Sequence, residues 1–220
     1  SIPQKKINNA IEDINNVHLD KTTGKLTKDG AVLVEVIQRY SFANIPVDYW
    51  FREMDDFKGD KSLLSTYKEF TLDLKKTYNE GYNICFASSH GRGKTMTASC
   101  ILKRVVEDAE YAALYVNLVD IVNLLASNSS ADQETKSDAR KMLFSIDFLV
   151  IDEFDSRFMG TDNATDLFGR LLEPIIRSRV QNKLPTILCT NNTNPDDLFN
   201  GALKASFKSL MKKFKIVAAI

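Results

Sequence analysis

The stretch Asn83-Ile84-Cys85-Phe86-Ala87-Ser88-Ser89-His90-Gly91-Arg92-Gly93-Lys94-Thr95 decides the fold. An apolar run, a polar turn with Gly91 and Gly93, and a Lys-Thr pair opening an amphipathic segment predict a strand, a loop and a helix start in that order. From Ser88 the spacing is that of the phosphate-binding pattern G-x-x-x-x-G-K-[ST], with serine in place of the first glycine. A loop wrapped around a phosphate turns its N–H groups inward, and Gly91 and Gly93 permit the positive φ values and close approach this needs. Lys94 would set a point charge on the β- and γ-phosphates, Thr95 would ligate Mg²⁺, and the following helix would aim its positive dipole end at the anion. Ser88, Ser89, His90, Gly91, Arg92, Gly93, Lys94, Thr95 and Met96 are thus the expected nucleotide-binding run, His90 and Arg92 as exposed substituents. The competing reading is a glycine-containing strand-to-helix turn with an incidental Lys-Thr pair.

Outward from this loop, Phe148-Leu149-Val150-Ile151-Asp152-Glu153 is an apolar strand ending in two carboxylates. Ligands of parallel α/β sheets bind at the C-terminal ends of strands, so Asp152 is expected to hold the metal through water and Glu153 to orient the attacking water. Taken alone, the pair also reads as two solvated acids closing a buried strand. Thr190-Asn191-Asn192 closes the next strand, where Asn191 is placed to bond the γ-phosphate or the lytic water; an Asn-rich turn is the plainer alternative.

Five short apolar runs, at 83–87, 112–116, 148–152, 186–190 and 215–219, alternate with helical segments at 94–109, 117–126, 136–145, 163–181 and 202–213. That alternation predicts an α/β fold whose five-stranded parallel sheet is covered on both faces, a three-layer sandwich of the P-loop NTPase kind. Ahead of it, helices are expected over 4–16, 30–42 and 61–78, with the domain boundary at Ala43-Asn44-Ile45-Pro46, where proline disfavours a helical residue before it. Ser127–Gln133 reads as an exposed loop.

At 220 residues one principal domain fits. Lys plus Arg and Asp plus Glu each total 29, so no global field points to nucleic acid or a membrane. Cys85, Cys100 and Cys189 are far apart, with two histidines in the chain, which excludes a zinc-finger reading and predicts three core thiols in a reducing compartment. No run approaches the roughly 18 apolar residues of a membrane span, and the first residues lack a signal-peptide core. The expectation is a soluble, cytoplasmic protein with no membrane partner.

These residues resemble the AAA+ helicase loaders of the DnaC/DnaI type and the related IstB transposition ATPases. The likeness spans about residues 43–220 and rests on Ala43-Asn44-Ile45-Pro46 with Tyr49 and Phe57, on Leu149–Glu153, and on Leu184-Pro185-Thr186-Ile187-Leu188-Cys189-Thr190-Asn191. It implies an AAA+ ATPase domain over 43–220, with Ile45 beside the adenine and Asn191 as first sensor. Residues 1–42 would be a helical appendage gripping a hexameric replicative helicase. Lys94, Glu153 and Asn191 would carry catalysis, with Thr95 and Asp152 at Mg²⁺. The implied activity is slow ATP hydrolysis that switches grip on single-stranded DNA, with self-association through the ATPase domain. An IstB-like transposition helper and a nucleotide-switched, non-hydrolysing adaptor are the alternatives.

In that family an arginine from a neighbouring subunit reaches the γ-phosphate, but the matching helix, Ala202–Met211, contains none. Lys208 holds the corresponding place, and Arg177 and Arg179 are the other candidates. Lys204, Lys208, Lys212, Lys213 and Lys215, with no acid among the last twenty residues, offer a local basic face for DNA phosphates.

Overall fold

The computed structural model describes residues 2–23, 25–125, 130–154, 162–198 and 201–218. The first three residues of the loop expected over Ser127–Gln133, and the final Ala219 and Ile220, lie outside the described residues. Among those described, the order is α1 (Gln4–His18), α2 (Lys28–Phe42), α3 (Lys61–Thr71), α4 (Leu74–Glu80), β1 (Ile84–Ala87), α5 (Lys94–Glu107), β2 (Ala113–Asn117), α6 (Leu118–Leu125), α7 (Gln133–Ser145), β3 (Phe148–Asp152), α8 (Asp162–Gln181), β4 (Thr186–Thr190), α9 (Gly201–Met211) and β5 (Lys215–Ala218). All five expected strands form.

They make one parallel sheet in the order β2-β3-β4-β1-β5. Successive strand residues point to opposite faces, and the burial follows that rule. Ile84 and Phe86 of β1, with Phe148 and Val150 of β3, join a core shared with Ile37 and Tyr40 of α2, Leu63 and Phe70 of α3 and Ile101, Leu102 and Val105 of α5. Cys85 and Ala87, with Leu149 and Ile151, face the other way, against Ile121 of α6, Leu143 of α7, Ile175 and Ile176 of α8 and Phe207 of α9. The result is the expected three-layer α/β sandwich. All three cysteines are free and buried.

The expected helix over 61–78 is two helices, because Asp73 turns its side chain to the Lys76 N–H at 2.9 Å and starts a new one. An N-cap aspartate satisfies one of the orphan donors of a first turn, so the break is local chemistry. Asp132 does the same for α7, accepting from the Thr135 N–H at 2.7 Å and starting that helix at Gln133, ahead of the expected 136.

The two N-terminal helices pack against each other, and α2 packs on α5. The segment after α2 closes onto the sheet edge: the Tyr115 N–H of β2 donates to the Ala43 carbonyl at 2.8 Å, and the Asn44 amide donates to the Tyr115 carbonyl at 2.9 Å. Among the described residues no helix is long and apolar enough to cross a membrane.

Candidate nucleotide-binding site

The candidate residues converge at the C-terminal ends of β1, β3 and β4. The loop after β1 takes the conformation its glycines were expected to permit, with φ of 76° at Gly91 and 96° at Gly93. A Cβ on Gly91 would meet nothing within 4 Å, whereas one on Gly93 would stand 2.4 Å from the Phe57 ring. That ring therefore lies directly on the loop. Helix α5 starts at Lys94 with Gly93 as its cap, so its positive dipole end opens onto the loop.

Lys94 is 7 % exposed. Its ammonium donates to the carbonyls of Ser88 at 2.7 Å and Ser89 at 2.9 Å and to Asn191 Oδ1 at 3.0 Å. One cation thus ties the loop to the end of β4. Ser88 is fully buried and its N–H donates to the Thr190 carbonyl at 3.3 Å, so this residue extends the sheet ladder and reaches the site through its carbonyl. Ser89 and His90 are exposed, as is Arg92, whose Nε donates to Ser89 Oγ at 3.4 Å; Met96 is half-buried on the first turn of α5.

The Thr95 hydroxyl donates to Asp152 Oδ2 at 2.8 Å. Asp152, 4 % exposed, also accepts the Tyr115 hydroxyl on Oδ2 at 2.5 Å and the Glu153 N–H on Oδ1 at 2.7 Å. Burial, then the Asp152 charge, raises the pKa of the buried Cys189 thiol well above its usual range. Burial, then the same charge, raises the pKa of the Tyr49 hydroxyl, so Tyr49 too lies within electrostatic reach of Asp152. Glu153 is exposed, with a φ of 53°. Positive φ in a non-glycine residue stores strain of the kind found at functional sites. Immediately after it, the Phe154 N–H donates to the Cys189 carbonyl at 2.8 Å, fixing the turn that presents the carboxylate.

Two expectations change. Ile45 is fully buried and its carbonyl accepts the Trp50 indole N–H at 2.8 Å, so its side chain has no surface to offer a base. Arg179 cannot reach a neighbouring subunit: it is fully buried and donates to the carbonyls of Leu143, Ile146, Asp147 and Pro185 and to Thr186 Oγ1. Burial lowers its guanidinium pKa to about 10, still charged at neutral pH. Lys208 pairs with Asp196 at 3.1 Å, and Arg177 is held by Glu173 and by Ser206 Oγ at 2.8 Å, both on the surface. The sequence marks Tyr115 only as a strand residue and Cys189 as a core thiol; nothing in it sets either beside Asp152.

A phosphate loop, an acid-ended strand and an asparagine-ended strand, side by side in this strand order, define a P-loop nucleotide-hydrolase architecture. The chain matches the family model of the ATPase family associated with various cellular activities (AAA) over residues 84–212, and it belongs to that family. No curated protein matches its sequence. Among solved structures, the fold is similar to the DnaC helicase loader (20 % identity, TM-score 0.63, 79 % of this chain and 99 % of that one) and to DnaI (15 %, 0.63, 83 % and 97 %). It is also similar to the replication initiator DnaA bound to AMPPCP and single-stranded DNA (17 %, 0.58), where it covers 80 % of this chain but 50 % of that one, about half the DnaA chain's length.

Proposed function

We propose that this chain is an ATP-dependent loader of a hexameric replicative DNA helicase, which binds single-stranded DNA and switches its grip with Mg-ATP binding and slow hydrolysis. The observation that carries the ATPase part is the meeting of Lys94 with Asn191 and of Thr95 with Asp152 at one end of the sheet. Lys94 holds two loop carbonyls, and a triphosphate would offer it stronger, charged acceptors. The oxygen donors of Thr95 and Asp152 fit Mg²⁺, a hard cation usually bound by one or two protein groups together with substrate phosphates. When bound, that ion would draw charge off the phosphates. Glu153, exposed beside the buried acid, is the residue we assign to the attacking water, and Asn191 the sensor of the γ-phosphate.

The loader part rests on the shared architecture with DnaC and DnaI and on the sequence resemblance. Residues 1–42 are the proposed helicase-contacting appendage and 43–220 the ATPase domain, self-associating through that domain. Lys212 and Lys213, both exposed, are the first candidates for DNA phosphates, since Lys208 and Lys215 already pair with Asp196 and Glu69.

The deciding experiment compares wild type, Lys94→Ala and Glu153→Gln in nucleotide binding and turnover, with and without single-stranded DNA. Lys94→Ala should lose nucleotide affinity, while Glu153→Gln should keep it and lose turnover. A wild type that binds nucleotide with no turnover would point to the adaptor, and a preference for duplex over single-stranded DNA to the transposition helper. Copurification with a replicative helicase, dependent on residues 1–42, tests the loading step.

A further inference from the structure

Tyr115 stands at a junction no motif marks. It lies on β2, the edge of the sheet, and all three of its hydrogen-bonding groups are taken. Its N–H and C=O are held by Ala43 and Asn44 at 2.8 and 2.9 Å, and its hydroxyl donates to Asp152 Oδ2 at 2.5 Å. The side chain is buried among apolar neighbours, where phenylalanine would pack as well. A buried hydroxyl is tolerated when it finds an acceptor, and the acceptor here is the carboxylate beside the phosphate loop.

That carboxylate oxygen has a second donor, the Thr95 hydroxyl. Thr95 is also the proposed metal ligand, so its geometry must answer to the ion. Tyr115 has no such second duty. With the Glu153 N–H on Oδ1 and Tyr115 on Oδ2, both oxygens stay aimed whichever way Thr95 turns.

We infer that Tyr115 is a positioning residue for the metal-binding acid, aiming the Asp152 carboxylate and tying that aim to the Ala43–Asn44 segment that joins the N-terminal helices to the sheet. The inference rests on the reading of Asp152 as the Mg²⁺ acid. It gives the N-terminal helices a route to the nucleotide site one residue long. Asn44 is suited to its end of the route: its φ of 55° lies in the left-handed region that asparagine tolerates better than most residues, which turns the chain out of α2 and points the amide at the Tyr115 carbonyl.

The test is calorimetric binding of a non-hydrolysable ATP analogue to the full chain across a Mg²⁺ series and in EDTA, for wild type, Tyr115→Phe, Asn44→Gly and Tyr40→Phe. Tyr115→Phe should leave affinity in EDTA unchanged and raise the Mg²⁺ concentration at half-effect about tenfold, the worth of one charge-assisted hydrogen bond. Asn44→Gly keeps the left-handed backbone, removes the amide, and should shift the Mg²⁺ response the same way by less. Tyr40→Phe, which removes another partly buried tyrosine hydroxyl, one bonded to Glu107, is the control and should not shift it. Wild-type Mg²⁺ responses in both Tyr115→Phe and Asn44→Gly, or an equal shift in Tyr40→Phe, would overturn the inference. Should Tyr115→Phe fail to fold, Asn44→Gly decides alone, a shift supporting the role and its absence refuting it. If wild type binds the analogue with no response to Mg²⁺, the assignment of Asp152 has failed, a result distinct from normal wild-type behaviour with insensitive variants.

Discussion

Arg179 commits its whole guanidinium to the protein's own frame, joining the end of α7, the start of β3 and the start of β4 through four carbonyls and one hydroxyl. Removing it leaves buried acceptors without partners, each at a cost of about 1–3 kcal/mol. Arg179→Met should therefore lower the unfolding free energy by roughly 3 kcal/mol or more, measured by urea denaturation; a loss below about 1 kcal/mol would contradict this account. Its role was not legible in the sequence, because an arginine near a helix end looks the same whether it points to solvent or into a ring of carbonyls supplied by distant segments. Tyr115 was hidden for the same reason, its value lying in residues 43, 44 and 152. Lys94, Thr95 and Asp152 were legible because loop and acidic strand each carry a local pattern whose chemistry demands the residue type.

Among the elements, the phosphate loop and α5 form one unit with Phe57 laid across it. Gly93→Ala meets two obstacles, a positive φ costing about 1–2 kcal/mol and a Cβ 2.4 Å from the Phe57 ring. Adding Phe57→Ala removes the second obstacle and leaves the first. The double variant should thus be more stable than simple addition of the two single losses predicts, and a double-mutant cycle of melting experiments reads the difference directly. Helix α7 offers a pH-dependent case. The Thr135 N–H holds the Asp132 carboxyl below its ordinary 3.8, so its capping contribution is present above that value and is lost as pH falls through the depressed one. The melting-temperature gap between wild type and Asp132→Ala should be open at neutral pH and close well below 3.8. Such caps are legible in the sequence: Asp73 and Asp132 are ordinary helix-start residues, and the single helix expected over 61–78 passes over the break at Leu72 and Asp73. The strands were the easiest elements, since a parallel sheet buried on both faces needs unbroken apolar runs.

For the molecule as a whole, equal totals of acid and base mean that any grip on DNA comes from a small patch. Each neutralised phosphate of a single strand contributes about −0.7 to the slope of log affinity against log salt. The proposed contact through Lys212, Lys213 and their neighbours should then give a shallow slope, between about −1 and −3. Lys212→Glu with Lys213→Glu should weaken binding across all sequences and flatten the slope further, and an unchanged slope would move the contact elsewhere.

The edge position of β2 carries one more consequence. Its outward Tyr115 amide is shielded by the Ala43 carbonyl, so the rate at which that single proton trades with deuterated solvent is a clock for how often the chain near α2 lifts away. Each lift also bares a length of unpaired strand on which a second polypeptide can zip. A partner that pries this corner open must therefore occupy it at once, and a chain held open with nothing to fill the gap is on the road to clumping.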